Sequence, residues 1–215
     1  MDTNKMNGLL FITHHTGEYG YIRSAEMALE GGCRMVQLRM KDSPPEEVEE
    51  TARHILKRCK EHDALLFIDD HVEVCRKVKA SGVHLGKLDM DPAEARKILK
   101  DNYLIGGTAN TFGDIQRLAD AKVNYIGLGP FRFTTTKKNL SPILGLDGYH
   151  QIMKQCKDQE INIPVLAIGG IETADIREIL DTGVSGIALS STILKAGNPV
   201  ERTRDIIQLI NQYQS

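Results

Sequence analysis

The stretch VLAIGGIETADIREILDTGVSGIALSSTIL, residues 165–194, contains one complete strand–helix–strand unit. Its two apolar runs begin at Val165 and Gly186, and neither alternates with polar residues, which is typical of parallel strands buried on both faces. Between these runs, Ile176 and Ile179 lie on the apolar face of a helix. The stretch therefore predicts two parallel strands of one sheet, joined by a helix.

The same unit recurs along the whole chain, and it predicts eight strands. They begin near Leu9, Met35, Leu65, Val83, Leu104, Tyr125, Val165 and Gly186. Helix starts are marked by Ser43-Pro44-Pro45-Glu46, with Ser43 as the expected cap, and by Asp91-Pro92. An open doubly wound sheet is the alternative, but eight regular units without a GxGxxG motif favour a closed TIM (β/α)8 barrel, a single domain over residues 1–215.

The composition narrows the class of protein further. A hydrophobic content of 41% can fill a core, and a net charge of −2 gives no reason to expect nucleic acid as a partner. The N-terminus lacks the apolar run of a signal peptide, and no stretch is long and apolar enough to suggest a membrane span. The four cysteines form no CxxC pair, so we expect reduced thiols in a cytoplasmic protein.

The loops that follow the strands carry chemistry in a barrel of this kind. After the second strand, Gln37, Arg39 and Lys41 alternate toward the barrel mouth as a candidate anion clamp. After the third and fourth strands, Asp70 and Asp89 offer two carboxylates, which suit Mg²⁺ that keeps open positions for substrate oxygens. The alternatives are a solvated strand end for the cations and helix capping for the aspartates.

The later loops indicate a phosphorylated ligand. The segment Thr134-Thr135-Thr136-Lys137-Lys138 lies in the longest irregular stretch and could hold a phosphate or diphosphate. Gly169-Gly170 after the seventh strand and Ser190-Ser191 after the eighth occupy the recurrent phosphate site of barrel enzymes. Surface solvation and ordinary turn chemistry are the respective alternatives.

Four motifs together resemble the thiamine phosphate synthase family over nearly the whole chain. They are Val36–Lys41, Gly82–Gly86 with Asp89, Gly127–Pro130 with Thr134–Lys137, and Ala167–Ile171. The resemblance implies an Mg²⁺-assisted transferase that joins 4-amino-2-methyl-5-hydroxymethylpyrimidine diphosphate to a thiazole phosphate, forming thiamine phosphate and pyrophosphate. Its partners would be these small molecules.

The resemblance also implies roles for particular residues. Asp70 and Asp89 would ligate Mg²⁺, and Arg39, Lys41 and Lys137 would act in catalysis by stabilising the departing diphosphate. Thr108 would lie beside the pyrimidine, while Gly170 and the two serines would hold the thiazole phosphate. The full expected set of substrate-binding residues is Gln37, Leu38, Arg39, Met40, Lys41, Asp69, Thr108, Thr134, Thr135, Thr136, Lys137, Gly170, Ser190 and Ser191.

Several residues depart from the family pattern. Asp69, His71, Lys87, Thr108, Asn110 and Arg132-Phe133 stand where Asn, Arg, Gln, Ser, His and Phe-Pro are usual. We expect Lys87 to offset the extra charge of Asp69. A related thiazole tautomerase is the nearest alternative, but it uses a histidine where this chain has Asn110 and typically lacks the metal carboxylates. A non-catalytic regulator that binds thiamine intermediates, or another phosphosugar barrel enzyme, is the further alternative.

Overall fold

A computed structural model describes residues 7–133 and 142–214 of the chain. Within these ranges eight strands alternate with helices from the first strand to the last helix. The strands are β1 (Gly8–Ile12), β2 (Met35–Leu38), β3 (Leu65–Asp69), β4 (Gly82–Leu85), β5 (Leu104–Ala109), β6 (Tyr125–Leu128), β7 (Val165–Ile168) and β8 (Gly186–Leu189). The helices are α1 (Tyr21–Glu30), α2 (Pro45–Glu61), α3 (Val72–Val78), α4 (Pro92–Leu99), α5 (Phe112–Asp120), α6 (Gly145–Asp158), α7 (Ile176–Asp181), α8 (Ser191–Leu194) and α9 (Pro199–Gln214).

The eight strands close into a barrel. Each strand pairs in parallel with its neighbours in chain order, and β1 pairs with both β2 and β8. The first pairing aligns Leu10 with Met35, and the closing one aligns Gly8 with Gly186. The predicted TIM barrel is therefore confirmed. Only β1 and β4 begin one residue earlier than the sequence predicted, at Gly8 and Gly82.

Two apolar layers hold the barrel together, and they decide which side chains reach its mouth. Leu10, Met35, Phe67 and Tyr125 belong to a cluster within the barrel, whereas Val36 belongs to the larger layer between strands and helices. Because successive side chains of a strand point to opposite faces, the residues that share a face with Met35 point toward the barrel axis. The inward face of each strand end is thus available for a site.

The helix starts are partly as predicted. Asp91 caps α4, and its side chain accepts a hydrogen bond from the N–H of Ala93 at 2.8 Å. Ser43 was wrong as the cap of α2, because Pro44 occupies that position and Pro45 begins the helix. With φ preset by its ring, a proline starts a helix without needing a capping side chain. None of the helices within the described ranges has the length and apolarity that crossing a membrane would require.

Candidate active site

A pocket opens where the carboxyl ends of the strands meet, and it collects most of the predicted residues. The inward residues of β2, the end of β3, β5 and the loops after β7 and β8 all contribute to it. Its predicted lining residues are Gln37, Arg39, Lys41, Asp69, Asp70, Thr108, Gly170, Ser190 and Ser191. These side chains lie far apart in sequence, so the barrel topology brings them together.

Lys41 lies among three carboxylates at one side of this pocket. Its Nζ is 2.5 Å from an Asp70 oxygen, 3.7 Å from an Asp69 oxygen and 3.7 Å from an Asp89 oxygen. The Asp89 carboxylate in turn accepts a hydrogen bond from the N–H of Gly86 at 2.6 Å. A Cβ at Gly86 would lie 2.7 Å from the same oxygen, so a glycine is needed for this approach. The expected meeting of Asp70 and Asp89 at the mouth is therefore present.

The carboxylates perturb one another's protonation. Burial, a hydrogen bond to Asp89 and the charge of Asp69 raise the pKa of Asp70 to about 7. Burial acts to raise the pKa of Asp89 as well, but the hydrogen bonds from Asp70 and Gly86 and the charge of Lys41 outweigh it and lower that pKa. The two carboxylates thus shift each other's pKa in opposite directions, and Asp70 has the higher pKa of the two. Asp70 also has a left-handed backbone, φ 64°, which is strained for a residue with a side chain.

Asp69 is bound mainly by residues of the neighbouring strand. Its Oδ1 accepts a hydrogen bond from Gln37 at 2.6 Å, and its Oδ2 lies 3.8 Å from Arg39 Nε. The expectation that Lys87 offsets this charge was wrong, because Lys87 forms an ion pair with Asp114 at 2.6 Å. The charge of Asp69 is compensated instead by Arg39 and Lys41, which follow the end of β2.

The donor atoms at this side suit a divalent cation. Among the described residues, Asp69 Oδ2 and Asp70 Oδ1 are buried oxygens without a hydrogen-bond partner. No group of three or more His, Cys, Asp or Glu side chains in that part of the chain is arranged as a metal-binding cluster. Magnesium is compatible with fewer protein ligands, because it retains waters and binds through one or two carboxylates plus substrate phosphates. Asp70 and Asp89 are the residues that would hold it.

The sequence did not predict a hydrogen-bonded chain that crosses the interior of the barrel. His84 Nδ1 lies 3.0 Å from the hydroxyl of Tyr125, and His84 Nε2 lies 3.0 Å from Oγ1 of Thr108. His84 and Tyr125 are buried, while Thr108 lines the pocket. One signal for this contact was present in the sequence. His84 is the polar residue of the otherwise apolar strand β4, and a buried polar side chain needs a hydrogen-bond partner.

The opposite side of the pocket is built from backbone and hydroxyl groups. Gly169 and Gly170 have positive φ values of 97° and 67°. The Oγ of Ser190 is buried and has no hydrogen-bond partner among the described residues. Thr192 Oγ1 donates to the carbonyl of Ile171 at 2.5 Å, which ties the loops after β7 and β8 together. Backbone N–H groups and serine hydroxyls can donate hydrogen bonds to an oxyanion, so this side of the pocket is suited to binding one.

The remaining predicted residues fall outside the pocket or outside the described ranges. Leu38 and Met40 are buried in the layer between strands and helices, so their side chains point away from the pocket. Thr134, Thr135, Thr136 and Lys137 lie outside the described residues, and their roles stay predictions. Asn110, by contrast, lines the pocket, and its Nδ2 donates to the carbonyl of Gly129, so it joins the loop after β5 to the loop after β6.

The fold and the pocket define a class of protein: a TIM-barrel enzyme whose mouth places clustered cations and carboxylates opposite a glycine- and serine-lined oxyanion site. The family model described as thiamine monophosphate synthase matches residues 9–193. The chain therefore belongs to the thiamine monophosphate synthase family. The resemblance seen in the sequence motifs is confirmed, as is the prediction of a transferase.

Similar proteins agree with this assignment. The thiamine-phosphate synthase of Bacteroides thetaiotaomicron is 55% identical over 204 residues, which cover 95% of this chain and 98% of the relative. The thiamine-phosphate synthase of Phocaeicola vulgatus is 57% identical over 201 residues, 94% of this chain and 97% of the relative. The solved structure of thiamine phosphate pyrophosphorylase from Pyrococcus furiosus has a TM-score of 0.88 and 30% identity, with full coverage of both chains.

Proposed function

We propose that this chain is a single-domain, Mg²⁺-dependent enzyme that condenses hydroxymethylpyrimidine diphosphate with thiazole phosphate, giving thiamine phosphate and pyrophosphate. The observation that carries the proposal is the position of Lys41 and Arg39 among the carboxylates Asp69, Asp70 and Asp89. Such a site suits a diphosphate. The cationic side chains can bind its oxygens directly, and the carboxylates can hold a Mg²⁺ ion that binds further oxygens. The four buried thiols support a reducing, cytoplasmic location.

The diphosphate would bind at the β2–β4 side of the pocket. Bound Mg²⁺ would supply Lewis-acid stabilisation of the negative charge that develops on the leaving pyrophosphate. Arg39 and Lys41 would donate hydrogen bonds to the diphosphate oxygens, and this electrostatic support would lower the barrier to breaking the C–O bond of the pyrimidine. Gln37 already donates to Asp69, and it would hold the carboxylate still while the charge moves.

The acceptor would bind across the mouth, at the loops after β7 and β8. Ser190, Ser191 and the N–H groups near Gly170 would anchor the thiazole phosphate, and Thr108 would contact the pyrimidine ring. Once both substrates are held, the thiazole nitrogen needs only to meet the pyrimidine carbon, and orientation provides much of the remaining rate acceleration. No protein nucleophile is required by this reaction.

The alternative of a thiazole tautomerase has less support. Asn110 occupies the position where that enzyme uses a histidine, and here its side-chain amide donates to the carbonyl of Gly129. A side-chain amide is not basic enough to accept a proton near neutral pH, so Asn110 cannot serve as a general base. The pair Asp70 and Asp89, which suits a metal and a diphosphate, would also have no purpose in a tautomerase.

The direct test is to incubate the purified protein with both phosphorylated substrates and Mg²⁺, and to measure thiamine phosphate and pyrophosphate. We expect equal amounts of the two products and loss of turnover when EDTA is added. The variant Asp89→Ala should lose Mg²⁺-dependent turnover and still bind thiazole phosphate. If the folded wild-type protein forms no thiamine phosphate, the proposed function is wrong, and loss of both properties in the variant would assign Asp89 a structural role.

A further inference from the structure

Arg132, a departure from the family pattern, joins the loop after β6 to the loop after β7. Its guanidinium contacts both oxygens of Asp175 through two hydrogen bonds of 2.8 Å and 2.9 Å. The same group donates to the carbonyl of Gly170 at 3.0 Å. Because the guanidinium is planar and rigid, these three bonds fix the position of the Gly170 carbonyl relative to Asp175.

The main chain at this point is packed closely enough to transmit that constraint. The N–H of Arg132 donates to the carbonyl of Gly169 at 2.9 Å, and the N–H of Phe131 donates to the carbonyl of Ile168 at 2.9 Å. A Cβ on Gly170 would lie 2.9 Å from the Arg132 carbonyl oxygen. Asp175 is fixed as well, because its Oδ2 accepts a hydrogen bond from Glu172 N–H at 2.8 Å. The two loops therefore form one bonded unit.

Peptide geometry links this unit to the pocket. In a trans peptide the C=O and the following N–H point in opposite directions, so a carbonyl of Gly170 held by Arg132 turns the N–H of Ile171 the other way. Gly170 and Ile171 both line the pocket, whereas the Arg132 side chain is exposed and does not line it. Arg132 is thus placed to orient a backbone donor toward an oxyanion that it does not itself contact.

We propose that Arg132 is a positioning residue that preorganises the oxyanion site for the thiazole phosphate, through the carbonyl of Gly170. The inference rests on the proposed function for the identity of the substrate. A direct charge effect is disfavoured, because the positive charge of Arg132 is matched by Asp175 at 2.8 Å and by Glu172 at 3.9 Å. Arg132 contributes the fixed orientation of the Gly170 carbonyl. That orientation should be lost when the planar guanidinium is replaced by another side chain.

The test compares Arg132→Gln, Arg132→Lys and Asp175→Asn with the wild type. For Arg132→Gln we expect KM for thiazole phosphate to rise by about tenfold, the usual scale for losing charge-assisted bonds, with kcat and KM for the pyrimidine diphosphate within about twofold. Arg132→Lys should resemble Arg132→Gln, because an ammonium cannot replace a planar fork. The double variant Arg132→Gln/Asp175→Asn should be no worse than either single variant, since the two residues act as one unit.

Arg23→Gln is the matched control. Arg23 is another exposed guanidinium, bonded to Glu30 at 2.8 Å on the surface of α1, and its loss should leave both KM values unchanged. A wild-type KM for thiazole phosphate in Arg132→Lys would overturn the proposal in favour of a charge effect. An equal rise of both KM values in Arg132→Gln would overturn it in favour of general loosening of the barrel mouth.

A binding measurement separates this inference from the proposed function. Inorganic phosphate is titrated calorimetrically into the wild type and each variant, without any turnover. Weaker phosphate binding in Arg132→Gln and Arg132→Lys supports the positioning role, even if the wild type forms no thiamine phosphate. Unchanged phosphate binding in both variants would refute it, even if the synthase activity is confirmed.

Discussion

Removal of the Tyr125 hydroxyl tests how the barrel interior controls the substrate pocket. Tyr125 is 1% exposed, and its hydroxyl lies 3.0 Å from His84 Nδ1. We assign Tyr125 as the donor to Nδ1, so that the proton of His84 is on Nε2 and is donated to Thr108 Oγ1. In the proposed binding mode, the hydroxyl proton of Thr108 would then be donated to an acceptor atom of the ligand, such as a ring nitrogen of the pyrimidine.

The expected cost of Tyr125→Phe follows from these contacts. Phenylalanine fills the same space, so no cavity term arises, and the loss is the buried hydrogen bond with its unsatisfied His84 nitrogen, about 1–3 kcal/mol in the free energy of unfolding. Relaxation of the ring is restricted, since even a Cβ on Gly106 would lie 2.2 Å from Tyr125 Cζ. Less exact orientation of Thr108 should raise KM for the pyrimidine diphosphate about fivefold, which corresponds to about 1 kcal/mol.

A double-mutant cycle with Thr108→Val supplies the decisive measurement. If Tyr125 acts on the substrate through His84 and Thr108, then Tyr125→Phe should raise KM in the wild-type background and have almost no effect in Thr108→Val. Unfolding in urea gives the stability of each variant in parallel. The control is Tyr149→Phe, which removes another buried hydroxyl, one bonded to the backbone of Leu128. An equal rise of KM in both backgrounds would refute the assigned chain of hydrogen bonds.

Two further predictions concern the two sides of the pocket. The pKa of Asp70 is raised to about 7 from an ordinary 3.8, so its contribution to stability is full below pH 4 and is lost as the pH rises toward 7. In EDTA, the urea midpoint of the wild type should therefore fall over this interval relative to Asp70→Asn, and parallel curves would contradict the raised pKa of Asp70. Gly170→Ala should destabilise the fold by at least about 1 kcal/mol and weaken phosphate binding, because φ is 67° and a Cβ would lie 2.8 Å from the Phe133 carbonyl oxygen. A stability and a phosphate affinity equal to those of the wild type would show that the loop can rearrange.

Much of the fold was predictable because the signal is local. Each strand is a short apolar run, and each helix has an apolar stripe, so the eight units could be counted along the chain. The position of the site was predictable for a topological reason, since the carboxyl ends of all strands in a parallel barrel meet at one mouth. Asp70 and Asp89 could therefore be paired from sequence alone, although they follow different strands.

The partners of individual side chains were not predictable, because they depend on distances across the barrel. His84 meets Tyr125 only through the stagger of β4 against β6, and these residues are 41 positions apart. Lys87 was expected to compensate Asp69, yet a carboxylate at the start of α5 is close enough to pair with it first. Arg132 finds Asp175 across 43 residues of sequence. Such pairings follow from register and loop packing, which carry no short-range signal.

The two sides of the pocket differ in a way that fits the proposed reaction. Around Lys41, charged groups hold one another in place, and three carboxylates meet two cations within about 4 Å. Around Gly170, the site is built from backbone and hydroxyl groups. Bond breaking generates charge on the leaving diphosphate, so that side needs ionised groups fixed before the reaction begins. The charge on the phosphate of the thiazole substrate does not change during the reaction, so this side of the pocket needs only to hold that phosphate in a fixed position. Variants around Lys41 should consequently act mainly on kcat, and those around Gly170 mainly on the KM for the acceptor.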